Sequence, residues 1–215
     1  MISKYFKMFL VAGSSIILLG SCSKNGPEPL PPATPNYSPQ TANSTWTYKN
    51  NPGSNFTITA TNRDTVAQGK TYRVFLNSAG ANIYMGQSGG DYYRFGVIEQ
   101  LGLSGVEELY LKDGEAVNAF WTSTQNVIVP NFGTVPITLK YTIKGRSETR
   151  VVGTKTFTNV IHVRLDLSVP VPIALGGGDF YYAEGVGLIE NAINVSVPGQ
   201  PAINQTQVIT DYSIK

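Results

Sequence analysis

The chain has 215 residues, 41% of them hydrophobic and 11% aromatic, with 16 Lys and Arg against 14 Asp and Glu and a formal net charge of +2. That balance offers no basic stripe for nucleic acid. Only about 14% of the chain is charged, too little for a disordered polyelectrolyte, and the length allows about one domain after any leader is set aside.

The chain opens with a leader over residues 1–21. Lys4 and Lys7 give it a positive start, and Met8 to Leu19 is mostly apolar. At ~1.5 Å per residue those positions reach only roughly 18 Å, short of the ~30 Å hydrocarbon core, so they predict a signal peptide and not a membrane span. The run ends in Leu19-Gly20-Ser21-Cys22, and Cys22 is the single cysteine, so no intrachain disulfide is possible. Without Lys4 and Lys7 the 16 basic residues fall to 14, equal to the 14 acids, so the rest of the chain is formally neutral.

This order of charge, apolar run, small residues and cysteine resembles the lipobox of bacterial lipoproteins. The resemblance implies cleavage before Cys22, lipidation of its sulfur, and a membrane partner reached through that lipid. Several acyl chains would hold the protein firmly, since one alone binds only marginally. The implied location is the bacterial cell envelope, anchored by lipid to the outer membrane, on either its periplasmic or its surface face.

Residues 22–43 read as a lipidated, proline-rich tether. Six of the 13 prolines fall there, at 27, 29, 31, 32, 35 and 39. Such a segment is extended, with little to bury, and Ser23 to Asn43 could span roughly 65 Å at ~3.1 Å per residue.

Residues 44–215 predict a single all-β domain. Phe56, Ile58 and Ala60 alternate with polar residues, and Thr71 to Leu76 follows a Gln68-Gly69 turn. Shorter runs cover 82–85, 92–98, 107–111 and 126–129. From Thr134 to Lys144 the alternation continues, and Pro136 there suggests an edge strand or the first residue of a strand. Thr156 to Ser168 sets Phe157, Asn159, Ile161, Val163, Leu165 and Leu167 on one face, and Thr158, Val160, His162, Arg164 and Asp166 on the other. Helical periodicity is weak, and the only places for a short helix are 106–111 and 114–121.

One stretch organises the domain. Gly178-Asp179-Phe180-Tyr181-Tyr182-Ala183-Glu184-Gly185-Val186-Gly187-Leu188-Ile189-Glu190 is echoed by Gly90-Asp91-Tyr92-Tyr93-Arg94-Phe95-Gly96-Val97-Ile98-Glu99. Each follows a Gly-led segment, at Gly69 and at Gly153. These echoes predict an internal duplication of a β unit, with repeats near 54–99 and 138–190. Gly185 and Gly187 read as a kink within one strand of a strongly curved antiparallel sheet, half-barrel or sandwich-like.

Over residues 148–190 the chain also resembles a set of functionally unassigned Gram-negative envelope lipoproteins. In these a Gly-Thr-Phe-x-Asn-Val strand precedes a Tyr-Tyr-Ala-x-Gly-Val-Gly-Leu segment. The resemblance implies a curved antiparallel sheet, similar in some members to the half-barrels of periplasmic lipoprotein carriers. It carries over no functional residue.

Catalytic chemistry has little support in the residues. The one histidine, His162, lies mid-strand on a polar face beside Arg164 and Asp166, and no hydroxyl or thiol nucleophile is paired with it by sequence. There is no ligand spacing for a metal, and no cofactor is expected. Two carboxylate pairs, Asp91 with Asp179 and Glu99 with Glu190, are related by the echo and are the route to a glycan hydrolase. Asp64-Thr65-Val66 resembles an O-glycosylation acceptor of some envelope proteins, with Thr65 as the acceptor, and also reads as a turn. The leading expectation is a non-enzymatic, membrane-anchored protein whose curved sheet holds an apolar or lipid-like ligand. The alternatives are the glycan hydrolase and a structural or adhesive module with its aromatics outside. Ligand-binding residues and oligomeric state are left open by the sequence.

Overall fold

The computed structural model describes residues 34–98, 103–129, 133–170, 174–196 and 201–215. The leader, Cys22 and Glu99 lie outside them. The described residues form one twelve-stranded sheet. In chain order its strands are β1 (Thr45–Asn51), β2 (Asn55–Ala67), β3 (Lys70–Asn77), β4 (Asn82–Ser88), β5 (Asp91–Ile98), β6 (Leu103–Lys112), β7 (Phe120–Val129), β8 (Gly133–Val152), β9 (Lys155–Ser168), β10 (Ala174–Ala183), β11 (Gly187–Val195) and β12 (Ile203–Ser213).

The spatial order is β6-β5-β4-β3-β2-β1-β12-β11-β10-β9-β8-β7, every pairing antiparallel. Each strand lies beside its neighbours in sequence, and the first strand closes on the last, Thr45 opposite Ser213 and Trp46 opposite Tyr212. The result is an up-and-down barrel with a single seam, between β6 and β7. Closure of this kind hides every other strand edge from stray pairing.

Side chains bridge that seam where the ladder does not. The Trp121 indole of β7 donates to the Leu109 carbonyl of β6 at 2.7 Å, and the Tyr141 hydroxyl of β8 donates to the Glu108 carboxylate of β6 at 2.6 Å. The Trp121 ring is held for this by stacking on Tyr141, with centroids 5.6 Å apart and planes 9° apart.

The all-β, strongly curved antiparallel expectation holds, and the sheet curls into a nearly closed barrel whose β6 and β7 ends are joined by side chains. Gly69 and Gly153 occupy equivalent turns, β2 to β3 and β8 to β9. The two Gly-Asp echoes do not: Gly90-Asp91 opens β5 from a turn, whereas Gly178-Asp179 lies in the middle of β10. Gly185 and Gly187 are not a kink within one strand. With φ of +74° and +99° they form the turn of the β10–β11 hairpin, a conformation costly for any residue with a Cβ. Neither short helix forms: residues 106–111 belong to β6, and 114–119 are an irregular connection leading into β7.

Two local irregularities explain further departures from simple alternation. Asn159 has φ +52° and is an extra residue in β9 opposite β8, so Val160, expected on the polar side, is fully buried. Pro136 sits in an interior strand. It is tolerated because β8 pairs there only with β7, opposite Asn126, and its ladder with β9 begins at Thr138.

The proline-rich segment also behaves differently at its end. Residues 34–43 pack against the barrel. Tyr37 is 6% exposed, its amide donates to the Tyr92 hydroxyl at 3.2 Å, and its own hydroxyl donates to the Asn159 carbonyl at 3.1 Å. The Gly185 amide donates to the Asn36 carbonyl at 2.7 Å, and Gln40 donates to the Met85 carbonyl. The segment therefore reaches β4, β5, β9 and the β10–β11 turn, and it stoppers one end of the barrel.

Candidate functional site

Period-two alternation sends one face of every strand inward, and twelve strands leave more interior than these side chains fill. A cavity of about 390 Å³ remains. Its floor is Tyr37, Ser38 and Pro39 of the stopper with Val186 and Gly187 of the β10–β11 turn. Its walls include Trp46, Tyr48, Phe75, Leu139, Phe180 and Leu188, and Asn77, Asn82 and Gln205 lie toward the opposite end. The volume falls at the lower end of the ~300–1,000 Å³ typical of small-molecule sites.

The wall aromatics are fixed by hydrogen bonds to main chain. The Trp46 indole donates to the Val186 carbonyl at 2.7 Å, and the Tyr48 hydroxyl donates to the Leu188 carbonyl at 2.9 Å. Burial raises the Tyr48 phenol well above its ordinary value, so it remains a neutral donor. Tyr110 is pushed up to about 12, chiefly by burial.

One part of the lining is charged. The Arg94 guanidinium of β5 donates to Glu108 Oε2 from Nε at 3.1 Å and from Nη2 at 2.5 Å, and Glu108 is 5% exposed. The adjacent carboxylate raises the Arg94 guanidinium further above its usual range, against the opposing effect of burial. Burial first, and then the Glu108 charge, raises the Tyr141 phenol well above normal. Arg94, Glu108 and Tyr141 all line the cavity. Sequence reasoning passed over this ion pair. Its signal is the alternation Val106-Glu108-Tyr110, which puts a carboxylate among apolar positions, while Glu107 beside it pairs with Lys70 at 2.6 Å.

The residues weighed for catalysis lie elsewhere. His162, Arg164 and Asp166 form an outward row, as their alternation with buried Ile161 and Val163 requires. His162 Nε2 donates to Asp179 Oδ1 at 2.8 Å, and Arg164 Nη1 donates to Asp179 Oδ2 at 2.7 Å. Burial would raise the Asp179 carboxyl, but these two hydrogen bonds outweigh it and hold the group below its ordinary range. His162 also stacks on Tyr181 at 4.4 Å, with Arg150 over the same ring at 3.3 Å. No hydroxyl or thiol bonds to His162 among the described residues.

Asp91 and Asp179 are not brought together, and the Glu99–Glu190 pair falls outside the described residues at Glu99. Asp91 pairs with Lys112 on β6, and Asp179 with Arg164 on β9. Between β5 and β10 lie β4, β3, β2, β1, β12 and β11. Glu190 is engaged by Arg150 at 2.8 Å. Among the described residues no cluster of three or more His, Cys, Asp or Glu is placed to hold a metal. Asp64-Thr65-Val66 is no turn: it lies within β2, Thr65 opposite Tyr72, with Asp64 paired to Arg73 at 2.9 Å and Val66 70% exposed.

No family model and no curated protein matches the chain. Two solved structures are similar to it. One is a "putative lipoprotein" from Parabacteroides distasonis, with TM-score 0.47 and 12% identity over 84% of this chain and all of that one. The other is a "putative exported protein with YmcC-like fold" from Bacteroides fragilis, with TM-score 0.42 and 8% identity over the same shares.

Proposed function

We propose that the protein is a lipid-anchored envelope protein without catalytic activity of its own, whose barrel holds an apolar or lipid-like ligand. The observation that carries this reading is the cavity of about 390 Å³, floored by the stopper and walled mainly by aromatic and aliphatic side chains. An apolar guest in a cavity of that size gains dispersion contacts and takes apolar surface out of water. The large aromatics support binding inside over adhesion outside: Trp46, Tyr48, Phe75, Tyr92, Tyr110 and Tyr182 are all at least nine-tenths buried. The hydrolase alternative has no carboxylate pair in the lumen among the described residues, where Glu108 is already engaged by Arg94 and Tyr141.

Anchoring through Cys22, in the outer membrane of a bacterial envelope, rests on the lipobox of the leader. Native mass spectrometry of protein extracted from membranes tests both halves. The expected spectrum shows a chain beginning at lipid-modified Cys22 and carrying a releasable apolar ligand. A chain that retains Met1 refutes the anchor. A chain with no co-purifying ligand, and no affinity for an apolar dye, refutes the binding reading.

A further inference from the structure

The lumen also carries information about the head group of its ligand, an inference that rests on the binding reading above. An apolar chain needs no ions around it, and burying an ion pair seldom stabilises a fold more than apolar packing would. Yet Arg94 and Glu108 both line this cavity. The carboxylate is saturated by its own neighbours, since Oε2 takes two N–H bonds from Arg94 and Oε1 takes the Tyr141 hydroxyl. The guanidinium is not saturated. It carries five N–H groups, two of them are spent on Glu108, and 38% of its side chain is accessible.

A second donor lies nearby. Tyr182 is 5% exposed, lines the same cavity and is close enough to feel both charges. A phenol hydroxyl lining the lumen can donate one hydrogen bond to a guest.

The polar pole of the lumen thus offers donors from Arg94 and Tyr182 with no net charge. A bound carboxylate or phosphate would add one uncompensated negative charge inside an apolar wall, which is costly. An ester or alcohol oxygen accepts the same hydrogen bonds and adds none. We infer that the lumen takes an uncharged single-chain amphiphile whose ester or hydroxyl oxygen accepts from Arg94 and Tyr182. The self-neutralised Arg94–Glu108 pair then selects against the fatty-acid anion of equal chain length.

Competition against an uncharged apolar dye bound to the purified full chain tests this, with a monoacylglycerol and the matching fatty acid at pH 8, where the carboxyl is ionised. The wild type is expected to favour the monoacylglycerol by about tenfold or more. Glu108→Gln strips the lumen of its anion and leaves Arg94 unbalanced, so the preference should invert toward the fatty acid. The double change Arg94→Met with Glu108→Gln restores neutrality and should restore the preference, with weaker binding of both. Tyr182→Phe should weaken the monoacylglycerol severalfold and leave the order unchanged.

Equal affinity for the two ligands in the wild type, or a preference that Glu108→Gln leaves untouched, overturns the head-group inference while the lumen remains a binding site. If neither ligand nor the dye binds, the binding reading falls and takes the inference with it. Should Glu108→Gln fail to fold, the wild-type preference and Tyr182→Phe decide the matter alone.

Discussion

Removing the Tyr37 side chain should unseat the stopper. Tyr37 is 6% exposed and stands edge-on to Tyr92, with centroids 6.3 Å apart and planes at 87°. Truncating a buried aromatic side chain to Ala costs ~3–5 kcal/mol, and the loss includes an edge-to-face contact of about 0.5–1.5 kcal/mol. The hydroxyl bond to the Asn159 carbonyl adds about 1 kcal/mol, the part that Tyr37→Phe isolates. Ordering the backbone of each residue from 34 to 43 costs about 1–2 kcal/mol, and Tyr37 is the largest side chain opposing that cost. Its loss should therefore release the whole segment and open the floor of the cavity. Urea unfolding should place Tyr37→Phe about 1 kcal/mol below the wild type and Tyr37→Ala about 3 kcal/mol or more below it. Limited proteolysis should cut within 34–43 only in the Ala variant. If Tyr37→Ala unfolds within about 1 kcal/mol of the wild type and keeps the segment protected, the stopper is not held as described.

Trp121→Phe keeps the stack on Tyr141 but loses the indole bond to Leu109, so it should cost about 1–3 kcal/mol and speed amide exchange in β6 and β7 above all; a uniform acceleration over all strands would count against a seam. Gly177→Ala should destabilise by about 1–3 kcal/mol or prevent folding, because a Cβ there would overlap the Leu165 carbonyl oxygen and lie 2.9 Å from its carbon, both in main chain that cannot swing aside; unchanged urea unfolding would show that β9 and β10 are not so close. Asp179→Asn should cost no more than about 1 kcal/mol at neutral pH, since the cluster is partly exposed and screened. The folded carboxyl titrates below its ordinary value, so the wild-type advantage is present above about pH 4 and disappears as pH falls through the folded value; an advantage that persists in strong acid would contradict the assignment.

The strands were legible where alternation ran unbroken. Ile161, Val163 and Leu167 are buried, and His162 and Arg164 face out, because a one-residue slip would reverse them all. What escaped the sequence was set by single residues with unusual backbone. Asn159 shifts the phase of β9, and Gly185 with Gly187 turns an apparent single strand into a hairpin. Both conformations are chosen by what lies beyond the local stretch, such as the Asn36 carbonyl that receives the Gly185 amide. The lumen was hidden for a similar reason. Glu107 and Glu108 are identical neighbours in the sequence, yet one pairs with Lys70 and the other lines the cavity beside Arg94. Which glutamate faces inward depends on the register of β6 against β5, which a bulge at Tyr110 of β6, opposite Tyr92 and Tyr93, offsets.

The pairing of β1 with β12 has a consequence for how the barrel assembles. Every other ladder joins strands adjacent in sequence, but this one joins the two ends of the domain, and the Lys215 amide even donates to the Ser44 hydroxyl at 3.1 Å. Closure must therefore wait for the last strand to be made, and its loop-closure entropy is the largest in the domain. High contact order of this kind slows folding. A circular permutant that joins Lys215 to Thr34 by a flexible link, so that the stopper is kept, and opens new ends in the connection between β6 and β7 would make that distant pair neighbours in sequence. No ladder would be cut, because the new ends would fall at the seam. Such a chain should reach the same barrel faster than the natural order does, at the expense of a seam held by side chains alone.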